Sequence, residues 1–251
     1  EMNGVHSALS EKHIFISPRP LIVLKDVFGI GHQAVKSKIY KHLDKCPCPN
    51  GALSSHIEIA RDNIVVVIGL RIVGARRFRS TPQLVSIIDS VFSELGLNAY
   101  YYFDGFSSLP QRPSKNNLPS TTEGSAVSGL LSDLPESIRS KCLPYQVPTL
   151  AEKRKLLNST ICGFFPIGSS AIFQGWLTNI PAYYFDDGRY TNQFVEQDYL
   201  CNSHKNNCQF LDPSLFAPCE DAEGFLIHNE NSLKAFIFAE MTKIFDSAKL
   251  T

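Results

Sequence analysis

Residues 63–103 hold the strongest constraint on what this chain can fold into. Asn63 to Leu70 reads NIVVVIGL, a β-branched run without a charge. A strand with no polar face has to be covered on both sides, as the inner strands of a parallel sheet are. Ser80-Thr81-Pro82 then opens a predicted helix, with Leu84, Val85, Ile87, Ile88, Val91, Phe92 and Leu95 at helical spacing. Gly96 stops that helix, and Ala99 to Phe103 forms the next extended run. Strand, helix and strand over about forty residues make a β-α-β unit, which implies a parallel pair of strands.

A second unit of the same kind runs from Ser159 to Asp186. Ile161, Cys162, Phe164 and Phe165 form a short apolar strand, and Pro166-Ile167-Gly168 breaks it. Ser169 and Ser170 suit the start of a helix through Ala171, Ile172, Phe173, Trp176 and Leu177. Asn179 and Pro181 end it, and Ala182 to Phe185 is extended again. The fold class expected is therefore α/β, a Rossmann-like parallel sheet with helices on both faces. Its strands are expected near 64–70, 99–103, 161–165 and 182–185.

The rest of the chain is less regular. Residues 1–11 read as loose, and 13–17 and 21–24 as short extended runs separated by Pro18 and Pro20. Gln33 to Lys45 reads as a helix, and Cys46 to Ser55 as a turn-rich linker. Ser107 to Gly124 is a long Pro/Ser/Asn loop, disordered or a lid. One or two short helices are expected over 125–143, an extended piece over 145–147 and a helix over 150–157 carrying Lys153, Arg154 and Lys155. Past Arg189 the chain is irregular and rich in cysteine. Gly224 to His228 is a last candidate strand, and Ser232 to Ala248 is an amphipathic helix. The organisation expected is an N-terminal segment, 1–55, that is a remnant or part of an acceptor-side domain, followed by a Rossmann-like domain, 56–251. The chain opens Glu1-Met2, so it is read as a trimmed piece or one with extra leading residues, its function then depending on residues beyond it.

Composition excludes several classes. Hydrophobic residues are 43% and charged residues 19% of 251, and the formal net charge is zero. That balance does not suit bulk binding of nucleic acid. No apolar run approaches the ~20 residues that a membrane-spanning helix needs, and a cytoplasmic protein is expected. Seven cysteines are too few and too scattered for a disulfide framework. Cys201, His204, Cys208 and Cys219 lie close in sequence without standard zinc spacing, so reduced thiols or a local disulfide are read there and no metal or cofactor is expected. Asn158-Ser159-Thr160 matches a glycosylation acceptor but abuts a core strand, and is read as coincidence.

Two loops carry candidate chemistry. Arg71, Arg76, Arg77 and Arg79 fall within nine residues that include no acid, directly after the buried strand. Guanidinium groups there suit a phosphate, the alternative being a charged surface. Gly168-Ser169-Ser170 offers backbone N–H groups and hydroxyls at a helix start, which suit a phosphate or only cap the helix. His32 follows the glycine loop Phe28 to Gly31 and is a candidate general base or ligand contact, the alternative being a packed or solvent-facing histidine. Arg189 serves as a surface control if it lies outside the crevice that the two loops would form.

The order of three features resembles the nucleotide-sugar-binding domain of GT-B-type glycosyltransferases. They are VVVIGLRIVGARR, the YQVPTL segment with its short helix LAEKRKLLNST, and ICGFFPIGSSAIFQGWLTNIPAYYF. The similarity covers about residues 60–246. The arginine loop is similar to that of the fucosyltransferase-like branch, with Leu70 in place of a histidine and no aspartate after Arg77. The resemblance implies metal-independent transfer of a sugar from a nucleoside diphosphate sugar to a glycan, lipid or protein acceptor. Arg71, Arg76, Arg77, Gly168, Ser169 and Ser170 would hold the diphosphate, Gln174 stands near the place of the family's ribose contact, and His32 is the candidate catalytic base. The other classes open are a non-catalytic Rossmann-like binding module of a larger protein and another group transferase on the same fold.

Overall fold

The computed structural model describes residues 32–46, 54–71, 77–105, 125, 127–146, 149–167, 178, 180–189, 208–220 and 224–248. The chain divides into two compact units, 1–47 and 48–251. In the first, helix α1 spans His32–Lys45 and carries His42 and Lys45 in its last turn, where cations suit the carbonyl end of a helix.

The second unit is built on the expected sheet. Strands β1 (Ile64–Gly69), β2 (Ala99–Asp104), β3 (Cys162–Pro166), β4 (Ala182–Phe185) and β5 (Cys208–Phe210) lie in the order β2-β1-β3-β4-β5, and every neighbouring pair is parallel. Four of the five occupy the expected runs. β5 lies in the stretch read as irregular, because three residues are too short for an alternating pattern to register. β3 extends one residue further than expected, through Pro166. That proline can end a strand because the next N–H, that of Ile167, donates to Phe185 O at 2.9 Å.

Register assigns the faces. Val66 and Ile68 of β1 share one face with Tyr101 and Phe103 of β2 and Cys162 and Phe164 of β3. This face meets α3 (Thr81–Glu94) and the final helix, in one continuous core that includes Leu84, Ile88, Val91, Leu233, Ile237 and Met241. Each such side chain contributes about 1.5–3 kcal/mol by burial. Ser80 precedes α3 but does not cap it; its hydroxyl accepts from Ile227 N at 3.1 Å.

The opposite face carries Val65, Val67 and Gly69, with Tyr102 and Asp104 beside them. Helix α2 (Ser54–Asp62) packs over β1 there, its buried His56 set edge-on to Tyr102 at 6.2 Å and hydrogen-bonded to Pro144 O at 2.8 Å. α2 begins inside the stretch read as linker: SSHIEIARD has one short apolar stripe, and burial against the sheet supplies what its propensity lacks. After the short α4 (Glu136–Arg139), α5 (Leu150–Leu157) packs beside α2. Its start is a complete capping box, Thr149 Oγ1 accepting from Glu152 N at 3.2 Å and Glu152 Oε2 from Thr149 N at 2.9 Å. The chain closes with β6 (Phe216–Pro218) and β7 (Phe225–Ile227), an antiparallel pair in place of one further strand, and with α6 (Glu230–Ala248).

Candidate functional site

The carboxyl edge of the sheet is where its order selects a place for a ligand. β1 is followed by β2 on one side, and the chain then crosses back to put β3 on the other side of β1. In open α/β sheets, ligands sit outside the strand ends at such a reversal, here between β1 and β3. Ile68 pairs with Phe164, so β3 ends one residue beyond the end of β1. Adjacent strands are about 4.8 Å apart. The arginine-bearing segment leaves one of these ends and the Gly-Ser-Ser segment leaves the other.

The first segment is pinned at its base. Phe78 N donates to Arg71 O at 3.0 Å, which joins the two described ends of the segment. Phe78 itself is buried, with its ring 4.9 Å from that of Phe185 and 5.2 Å from that of Phe225. Arg77 O accepts from Phe225 N at 2.8 Å, and Arg79 N donates to Phe225 O at 3.0 Å. Gly224, at φ +109°, allows this approach, because a Cβ there would strike the Arg77 carbonyl. Arg71 is half-buried and Arg77 and Arg79 are exposed, whereas Arg76 lies outside the described residues.

The second segment is described up to Ile167, which is buried, and again at Thr178. Gly168, Ser169, Ser170 and Gln174 lie outside the described residues. His32 is the first residue of α1, in the other unit.

Acids stand at the ends of the flanking strands, and sequence reasoning gave them no role. Asp104, the last residue of β2, is fully buried and pairs with Lys153 Nζ of α5 at 2.7 Å. Lys153 also donates to Gly105 O at 3.3 Å. After β4, Asp186 accepts from Gly188 N at 2.9 Å, and Asp187 pairs with Arg189 Nε at 2.7 Å. The available signal was position: an acid directly after an uncharged strand falls at the carboxyl edge. Two of these acids, Asp104 and Asp187, are thus matched by cations, while arginines follow β1, an arrangement suited to an anionic ligand.

Among the described residues no three of His, Cys, Asp and Glu come together as a metal-binding group. Cys46, Cys142, Cys162 and Cys219 are free thiols. Cys201 and His204 lie outside the described residues, as does the side chain of Cys208. No described helix is long and apolar enough to cross a membrane.

No protein-family model matches the chain, and no curated protein matches it. Among solved structures, the crystal structure of the glycosyl transferase family 9 from Veillonella parvula DSM 2008 is similar at 12% identity and a TM-score of 0.40. The match covers 64% of this chain and 38% of that one.

Proposed function

We propose that the sheet unit binds a nucleoside diphosphate at its carboxyl edge, and that the chain transfers the sugar of a nucleoside diphosphate sugar to a glycan, lipid or protein acceptor. The observation that supports this reading is the adjacency of β1 and β3 at the reversal of strand order. The arginine segment and the Gly168-Ser169-Ser170 segment follow those neighbouring strand ends in the chain, which supports one diphosphate site for both. In the reaction, the bond between the sugar's anomeric carbon and the diphosphate oxygen breaks and one to an acceptor oxygen forms. The acceptor's proton passes to a base. The leaving diphosphate would be stabilised by Arg71, Arg76, Arg77 and the N–H groups of Ser169 and Ser170, without a metal ion, with Gln174 as the candidate ribose contact. We place the chain in the cytoplasm, in keeping with the unbridged thiols of its four described free cysteines.

Calorimetric titration with UDP, GDP and ADP tests the site. Charge-assisted hydrogen bonds are worth about 1.5–3 kcal/mol each, so Arg76→Ala and Arg77→Ala should each weaken binding about ten- to a hundredfold. Arg139→Ala is the control, since Arg139 is exposed on α4 and paired with Glu136 at 2.9 Å. A wild type that binds none of the three, or loop variants that bind as the control does, would end the donor-site reading.

A further inference from the structure

Arg189, a surface control in the sequence reading, is built into the arginine segment. Its Nε lies 2.7 Å from Asp187 Oδ2 and 2.9 Å from Asp187 Oδ1, and its Nη2 donates to Gly224 O at 2.8 Å. The Asp187 side chain is almost fully buried, so its end of the pair is fixed. Gly224 packs directly on the Arg77 carbonyl, which also accepts from Phe225 N at 2.8 Å. A continuous chain of contacts thus runs from the end of β4, through one guanidinium, to the backbone of Arg77.

That backbone is held, while among the described residues nothing engages its side chain. Arg71 and Arg79 both engage other groups. Arg77 is exposed, and among the described residues its guanidinium has no hydrogen-bond or ionic partner. An unengaged cation on a clamped backbone is what a preorganised anion site requires, because little freedom remains to be lost on binding.

We propose that Asp187, Arg189 and Gly224 are positioning residues that hold Arg77 for the diphosphate, an inference that rests on the donor-site reading above. Arg189 acts through its fork: one edge meets the carboxylate while another nitrogen meets the Gly224 carbonyl. A lysine ammonium carries the same charge but cannot span both.

Because Gly224→Ala drives a Cβ into the Arg77 carbonyl and can prevent folding, the variants are made at Arg189. UDP, GDP and ADP are titrated calorimetrically into the wild type, Arg189→Ala, Arg189→Lys, Arg77→Ala and the Arg77→Ala/Arg189→Ala double variant, with the thermal midpoint of each ligand-free chain recorded. Arg189→Ala and Arg189→Lys should each weaken the diphosphate that binds by roughly three- to tenfold, the worth of one hydrogen bond. In the Arg77→Ala background, the Arg189 substitution should have no further effect on affinity, as expected when one residue acts through the other. An Arg189→Ala chain with a lower thermal midpoint and unchanged affinity overturns the brace and leaves the donor site standing. So does a loss that persists undiminished without Arg77, and so does full rescue by lysine. A wild type that binds none of the three overturns the donor site and the brace together.

Discussion

On the face of the sheet covered by α3 and α6, Val66, Ile68, Phe103 and Phe164 meet Leu84, Ile88, Leu233 and Ile237 in an unbroken apolar core. On the face covered by α2 and α5, Val67, Tyr102 and Phe165 are buried together with His56, Asp104, Glu152, Lys153 and Arg154. The two faces stabilise the fold in different ways. Apolar burial is non-directional and scales with area, so the first face tolerates repacking if volume is kept. A buried ion pair gains little net stability, since desolvation offsets the attraction, but it penalises any arrangement that separates the partners. The second face therefore contributes position more than stability. Lys153 fastens α5 to the last residue of β2, at the carboxyl edge where the candidate site lies.

The sharpest way to break that contrast is to remove one partner of the pair. Lys153→Ala leaves the Asp104 carboxylate buried without its cation and should destabilise the chain by about 3–5 kcal/mol in urea unfolding. The Lys153→Met/Asp104→Leu double variant should recover most of that loss. If the double variant is as unstable as the single one, the pair is a net source of stability and the contrast between the faces fails.

A somewhat smaller effect is expected from the apolar face. Ile88 is fully buried, and Ile88→Ala should cost roughly 3 kcal/mol through lost transfer energy and the cavity left behind. Since the sheet separates Ile88 from Lys153, the two losses should add to within about 0.5 kcal/mol. A coupling of 1 kcal/mol or more would mean that the two faces do not act independently.

The smallest effect concerns pH. Cys142 packs against the apolar core, and burial, with the nearby Asp89 carboxylate adding to it, pushes its thiol from 9.0 up to about 11. The folded thiol stays protonated where the unfolded one ionises, so its contribution to stability is whole below pH 9 and is lost as pH rises towards 11. Urea midpoints at pH 8 and pH 10.5 should differ less for Cys142→Ala than for the wild type. Equal differences would show that this thiol ionises alike in the folded and unfolded states.

Much of the fold was legible because its signals are local. NIVVVIGL, the helix from Thr81 and the aromatic strand after Ala99 follow from residue type and spacing alone, and so does the presence of a parallel sheet. Not every short element was legible. β5 and β6 have three residues each, and α2 has nine with one apolar stripe, so their formation depends on what they pack against. The candidate site divides in the same way. The run of arginines after a buried strand could be read directly from the chain, whereas Gly168, Ser169 and Ser170 lie outside the described residues.

Sequence by itself determined that uncharged strands alternate with amphipathic helices, because burial on both faces leaves such strands no other stable partner. Only the tertiary structure decided that β1 and β3 are neighbours, which puts two strand ends some ninety residues apart in sequence side by side at one edge. It also decided that Lys153 reaches Asp104, and that Arg189 reaches the glycine against which Arg77 packs. Strand order and long-range ion pairs depend on how distant segments close over one another. No periodicity along the chain encodes that, since the contacts join residues whose local patterns are independent.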